Sequence, residues 1–118
     1  MSAENVLGAI LAGGQSRRMG GGDKAFQMLG GRPLLDHIVA RARPQVAELV
    51  LNANGDPARF EQYALPVLSD VVEGYVGPLA GILTVLEWAA TNRPHYEWVA
   101  SFPADAPFVP LDYVATML

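Results

Sequence analysis

The stretch that decides the fold runs from Gly8 to Lys24 and reads GAILAGGQSRRMGGGDK. It begins inside an apolar run, 6–11, which is typical of a β-strand buried on both faces, as in a parallel sheet. The loop that follows holds five glycines, two arginines and the only lysine of the protein. Glycines let backbone N–H groups approach an anion, and cationic side chains neutralise its charge. The stretch therefore predicts a phosphate-binding loop at the end of a buried strand.

The composition indicates an ordinary globular domain, which we expect to cover residues 1–118. Hydrophobic residues make up 51% of the chain and charged residues 17%. A net charge of −4 disfavours a nucleic-acid backbone as partner, because such binding needs a basic face. The absence of cysteine excludes disulfides and thiolate metal sites. No leader or membrane-length apolar run is evident, so we expect a cytoplasmic protein without membrane partners.

Apolar runs alternate with helical patterns along the rest of the chain. After the first strand, further strands are predicted at 46–51, 65–68 and 98–102. A short extended piece is expected at 25–29, before a Gly30-Gly31 turn. Helices are predicted from Pro33 to Pro44, from Pro57 with Asp56 as N-cap, over 79–91, and from Pro110 onward. This alternation predicts right-handed βαβ units and a three-layer, Rossmann-like α/β fold with a mostly parallel sheet.

We predict the strand order 3-2-1-4, which would make strands one and four neighbours. Ligands of such sheets bind beyond the carboxyl ends of the strands, where the strand order reverses. Adjacent strands lie only about 4.8 Å apart. The loops that follow strands one and four should then meet, bringing Gly13 and Asp105 to one site.

The glycine loop fits neither the G-x-G-x-x-G pattern of dinucleotide-binding proteins nor the Walker pattern with Gly-Lys-Ser/Thr. A flexible surface loop is the alternative interpretation of any glycine cluster. The position directly after a buried strand, together with Arg18 and Lys24, favours phosphate binding.

Four motifs, in order along nearly the whole chain, resemble a known family. They are LAGGQSRRMG at 11–20 followed by Asp23-Lys24, NAN at 52–54, GPLAG at 77–81 and PADAP at 103–107. The first is similar to the signature of nucleotidyltransferases with a Rossmann-like core. The complete set resembles the molybdenum cofactor guanylyltransferases.

This resemblance implies transfer of GMP from GTP to molybdenum-molybdopterin with release of pyrophosphate, in a reaction that needs Mg²⁺. It implies that Asp105 holds the metal and that Lys24 contacts the phosphates. Molybdopterin-synthesis and molybdoenzyme-maturation proteins are the implied protein partners. The residues assigned to the GTP site are Leu11, Ala12, Gly13, Gly14, Lys24, Asn52, Asp70 and Asp105, of which Gly14 is added for its accessible backbone amide.

Elementary chemistry agrees with these roles. Lys24 offers a point charge to phosphate oxygens, whereas Arg18 can make a bidentate contact, so both are candidate catalytic residues with Asp105. One carboxylate, with phosphates and waters, is a usual Mg²⁺ site. Structural roles are the alternatives: Asp105 and Asp70 could stabilise turns, and Asn52 could tolerate unusual turn dihedrals.

Three other functions stay open. A cytidylyltransferase of the same pathway and a sugar-phosphate nucleotidyltransferase would keep the fold and change the base or the acceptor. A non-catalytic nucleotide-binding module would bind GTP without turnover. Family members continue well past residue 118, so the resemblance supports the GTP part of the site better than the acceptor part.

Overall fold

The computed structural model describes residues 5–12, 28–53, 57–69, 78–103 and 110–117. Helices and strands alternate through these ranges, and 3₁₀ helices occupy Arg43–Gln45 and Pro57–Tyr63. Within them, no helix has the length and apolar character needed to cross a membrane. The strands are β1 (Val6–Leu11), β2 (Met28–Leu29), β3 (Arg32–Pro33), β4 (Glu48–Asn52), β5 (Val67–Leu68) and β6 (Trp98–Pro103), and the α-helices are α1 (Leu34–Ala42), α2 (Pro78–Asn92) and α3 (Tyr113–Met117).

The main sheet has the order β5-β4-β1-β6, with every neighbouring pair parallel. This confirms the predicted order 3-2-1-4. Strand β1 lies at the centre, where Leu7 pairs with Glu48 on one side and with Val99 on the other. Its continuous apolar sequence suits that position, because a central parallel strand is covered on both faces.

Alternate residues of β1 supply two separate cores, one on each face of the sheet. Val6 and Ile10 belong to a core that includes Leu35 and Ile38 of α1. Leu7 and Ala9 belong to the other core, with Val85 of α2. The side chains of a strand alternate between its faces, so β1 joins both helical layers to the sheet. The three-layer α/β prediction is confirmed.

The segment before α1 forms a hairpin that the sequence predicted only in part. Strands β2 and β3 pair antiparallel, with Met28 opposite Pro33. Gly30 and Gly31 have φ values of 63° and 83°. A two-residue turn with both central φ angles positive matches the twist of a hairpin and favours glycine at both positions. Pro33 was predicted as the first helical residue, but it has an extended ψ of 150° and precedes α1 as its N-cap.

Other boundaries also differ from the prediction. Strand β5 begins at Val67 rather than at residue 65, and α3 begins at Tyr113 rather than at Pro110. Strand β4 begins at Glu48 rather than at residue 46, because Val46 and Ala47 still belong to the bend after the 3₁₀ helix. The predicted helix from Pro57 is a 3₁₀ helix that ends at Tyr63, and Ala64 follows with a left-handed φ of 54°. Its predicted N-cap, Asp56, lies outside the described residues.

A polar cluster ties α2 to the amino-terminal edge of the sheet. Arg93 follows α2, and its Nε donates to Oε1 of Glu48 at 2.9 Å. The hydroxyl of Tyr96 donates to the same oxygen at 3.0 Å. The Arg93 guanidinium also lies over the ring of Trp88, at 5.1 Å from the centroid. The cluster therefore links the start of β4 to the connection between α2 and β6.

This cluster predicts a pH-dependent contribution to stability. The hydrogen bond from Arg93 lowers the pKa of Glu48 below 4.5, and burial only partly opposes it. A lowered pKa in the folded state stabilises the protein above the unfolded-state pKa, and this contribution is lost as the pH falls through the folded-state pKa. Glu48→Gln should therefore lower the urea midpoint at pH 7, with the difference from wild type shrinking below pH 4.5. Glu87→Gln, at an exposed position of α2, is the control and should change little at either pH. A Glu48→Gln effect that is equal at pH 7 and pH 3 would contradict the assignment.

Candidate functional site

The carboxyl ends of the four parallel strands form a single row. Leu11 pairs with Asn52 on one side and with Pro103 on the other, and Asn52 pairs with Leu68. Neighbouring strands of a sheet lie about 4.8 Å apart, so the row brings the four strand ends close together. We call these four residues, Leu11, Asn52, Leu68 and Pro103, the carboxyl-end row.

Backbone hydrogen bonds also hold two residues that directly follow the row, Ala12 and Ala53. The N–H of Ala12 donates to the carbonyl of Asn52 at 2.7 Å. The N–H of Ala53 donates to the carbonyl of Leu68 at 3.0 Å. Ala12 is half-buried and Ala53 is fully buried. The first residue after β1 is therefore held in place by the neighbouring strand β4.

The side chain of Asn52 is part of the sheet rather than of a turn. It is 2% exposed, and its Nδ2 donates to the carbonyl of Leu68 at 3.1 Å. This bond crosses from β4 to β5 at the row itself. The interpretation of Asn52 as a residue that tolerates unusual turn dihedrals was wrong, because it ends a strand. An assigned role in GTP binding stays a prediction.

Helix α2 approaches the row closely at Gly81. A Cβ added at Gly81 would lie 2.4 Å from Oδ1 of Asn52 and 3.4 Å from Cδ2 of Leu11. Such a close approach is possible only because glycine has no side chain. The first turns of α2 therefore lie directly against the ends of β1 and β4.

Three of the predicted site residues lie in the described ranges, and the structure brings all three together. Leu11, Ala12 and Asn52 belong to the row or follow it directly. The remaining predicted residues lie outside the described ranges, and their roles stay predictions. They are Gly13, Gly14, Arg18, Lys24, Asp70 and Asp105. Among the described residues, no group of three or more His, Asp or Glu side chains could hold a metal ion.

Gln45 was not predicted from the sequence, although its buried side-chain amide hydrogen-bonds to three other residues. Its Nε2 donates to the carbonyls of Arg41 and Pro110, both at 2.9 Å. Its Oε1 accepts from the N–H of Val114 at 2.8 Å. Gln45 thus fixes Pro110, the first described residue after Asp105, to the end of α1. No local pattern indicates this role, because two of the partners lie more than sixty residues away.

A separate groove of about 390 Å³ is lined by none of the predicted site residues. The Tyr63 hydroxyl donates to the Asp36 carboxylate, which also lies 3.6 Å from Nε of Arg32. Burial and the bond to Asp36 raise the pKa of Tyr63 to about 12. These ionisable groups are therefore paired with one another along the groove. Its lining residues are Arg32, Asp36, Val39, Ala40, Gln62 and Tyr63.

Comparison with known proteins agrees with the fold and the motifs. The sequence is 54% identical over 107 residues to a molybdenum cofactor guanylyltransferase of Nitrobacter hamburgensis, covering 91% of this chain and 51% of that protein. It is 56% identical over 108 residues to one of Rhodopseudomonas palustris, covering 92% of this chain and 50% of that protein. The chain therefore spans about half the length of the curated relatives it matches.

A solved structure shows the same fold. It is the molybdopterin-guanine dinucleotide biosynthesis protein A of Archaeoglobus fulgidus, which matches with a TM-score of 0.62 at 24% identity, covering 93% of this chain and 52% of that one. The family model described as MobA-like NTP transferase domain matches residues 8–118. The resemblance drawn from the four motifs is thereby confirmed, and the chain belongs to the MobA-like NTP transferase domain family.

Proposed function

We propose that this chain provides the GTP- and Mg²⁺-binding part of a molybdenum cofactor guanylyltransferase. The reaction is transfer of GMP from GTP to molybdenum-molybdopterin, with release of pyrophosphate. The observation that carries the proposal is the parallel pairing of β1 with β6, which sets Leu11 beside Pro103. We further propose that the protein works in the cytoplasm, with molybdopterin-synthesis and molybdoenzyme-maturation proteins as partners.

Chain connectivity supports a common site for the phosphate loop and the metal-binding carboxylate. Gly13 follows Leu11 by two residues, and Asp105 follows Pro103 by two residues. Two residues span at most about 7 Å, even when fully extended. Both groups are therefore tethered close to neighbouring strand ends. Asp70 follows Leu68 by the same interval, at the far side of the row.

The proposed chemistry is an in-line displacement at the α-phosphorus of GTP. An oxygen of the terminal phosphate of molybdopterin forms the new P–O bond. The bond from the α-phosphorus to the oxygen bridging the β-phosphate breaks, and pyrophosphate leaves with that electron pair. Little covalent chemistry falls to the protein, so catalysis depends on positioning and on neutralising charge. Arg18 and Lys24 are the cations proposed to neutralise the phosphates.

Asp105 is the residue proposed to hold Mg²⁺. A carboxylate oxygen is a hard ligand of the kind that Mg²⁺ prefers, and phosphates and waters usually complete its octahedron. The position of Asp105 after β6, the neighbour of the strand that leads into the phosphate loop, fits this role. When bound, the ion would neutralise charge on the phosphates during the displacement.

Nucleotide binding tests the base assignment. In calorimetry with Mg²⁺ present, we expect GTP to bind at least tenfold more tightly than CTP or UTP. The matched control is the same titration with the divalent ion removed by chelation, which should weaken GTP binding because the ion no longer neutralises part of the triphosphate charge. Tighter binding of CTP would replace the guanine assignment with that of a cytidylyltransferase, and tighter binding of UTP would favour a sugar-phosphate nucleotidyltransferase.

Turnover separates an enzyme from a nucleotide-binding module. Pyrophosphate release from GTP on addition of molybdenum-molybdopterin is the result we expect. GTP binding without release in the presence of this acceptor would overturn the enzymatic part of the proposal.

A further inference from the structure

We propose that Gly81 is a positioning residue for nucleotide binding. Its missing Cβ lets α2 lie against the amide of Asn52, and this contact fixes the carboxyl-end row from which the predicted GTP contacts extend. The inference rests on the proposed function, because it assigns to Gly81 an indirect part in the binding of GTP.

The space at Gly81 is too small for a methyl group. A Cβ would lie 2.4 Å from Oδ1 and 3.0 Å from Cγ of Asn52, whereas real Cβ atoms essentially never approach other atoms within 3.0 Å. It would also contact Leu11 at 3.4 Å. Alanine at this position therefore requires that α2 or the side chain of Asn52 move.

Asn52 has little freedom to move. Its side chain is 2% exposed, and its Nδ2 is bonded to the carbonyl of Leu68. Its own carbonyl accepts the hydrogen bond from Ala12 at 2.7 Å. A displacement of Asn52 would therefore disturb β5 on one side, and on the other Leu11 and Ala12, which are both assigned to the GTP site.

Helix propensity predicts the opposite effect of the same substitution. Alanine stabilises the interior of a helix relative to glycine, so replacement of Gly81 would be favourable if the helix alone mattered. An unfavourable effect on GTP binding therefore reports the contact with Asn52 rather than the helix.

A double-variant cycle tests this contact. The dissociation constant for GTP with Mg²⁺ is measured by calorimetry for wild type, Gly81→Ala, Asn52→Ala and the double variant. We expect Gly81→Ala alone to weaken binding at least tenfold. In the Asn52→Ala background Oδ1 is absent, so the same substitution should change binding less than twofold. Equal effects in the two backgrounds, or wild-type binding by Gly81→Ala, would overturn the inference.

The control is Ala90→Gly, at an exposed position of the same helix. It changes helix propensity without changing the approach to Asn52, and it should leave the dissociation constant within twofold of wild type. A tenfold loss in this variant would overturn the inference, because GTP binding would then depend on α2 as a whole rather than on its contact with Asn52.

Two further outcomes are separable. If Gly81→Ala fails to fold, as judged by circular dichroism, the double variant should fold again, and its failure to do so would overturn the inference. If the wild-type chain does not bind GTP, the proposed function itself fails. If the wild-type chain binds GTP but the effect of Gly81→Ala does not depend on Asn52, only the role of Gly81 is removed.

Discussion

We expect Asp105→Ala and Lys24→Ala each to lower pyrophosphate release from GTP by at least about 100-fold, since the lost groups act on charge that develops during the displacement. Without Asp105 the protein loses its proposed metal ligand. Without Lys24 the phosphates lose the one lysine that the sequence offers them. The measurement is pyrophosphate release at saturating GTP, with molybdenum-molybdopterin as the acceptor.

The control for this pair is Asp112→Ala, because Asp112 is an exposed aspartate shortly before α3. It removes a carboxylate close to Asp105 in the sequence but outside the proposed site, and it should leave the rate within about twofold of wild type. Full activity of either Asp105→Ala or Lys24→Ala would remove the proposed mechanism, whatever the binding data show.

The largest expected effect on stability belongs to Gln45. Gln45→Leu keeps the side chain large but removes its hydrogen bonds to the carbonyls of Arg41 and Pro110 and to the N–H of Val114. Leaving a buried polar group without a partner costs about 1–3 kcal/mol. We therefore expect a loss of about 3 kcal/mol in the free energy of unfolding, measured by urea titration at pH 7.

Glu61→Leu provides the comparison, since Glu61 is exposed on the second 3₁₀ helix. Exposed substitutions usually change stability by about 0.5 kcal/mol or less. A loss below about 1 kcal/mol in Gln45→Leu would contradict the stabilising role assigned to these three hydrogen bonds.

The parallel sheet could be predicted because its signals are local and repeated, and the strand order was taken from the Rossmann-like fold class. The uninterrupted apolar run of β1 indicates a strand covered on both faces, and the alternation with helices implies parallel neighbours. The helix over α2 was predicted within one residue at each end, from apolar residues at helical spacing. Local rules were less accurate where two structures compete, as at Pro33, which suits both the end of a hairpin and the start of a helix.

The long-range side-chain contacts could not be predicted, either at the candidate site or elsewhere in the fold. Gln45, Glu48 and Asn52 each hydrogen-bond to a partner at least sixteen residues away in the sequence. The residues next to them in the sequence do not indicate which partner that is. The sequence contains a weak indication of the contact at Gly81, since a glycine inside a helical pattern often marks the close approach of another element to the helix. The element that it approaches becomes visible only when α2 is placed on the sheet.

The central position of β1 also bears on how the chain is made. Leu7 is synthesised before both of its partners, Glu48 and Val99, so one side of β1 stays unpaired while residues 8–99 are made. At about 5–20 residues per second, that interval lasts several seconds. During translation, the segment that later forms the middle of the sheet therefore keeps one unpaired edge accessible to nascent-chain chaperones throughout that interval.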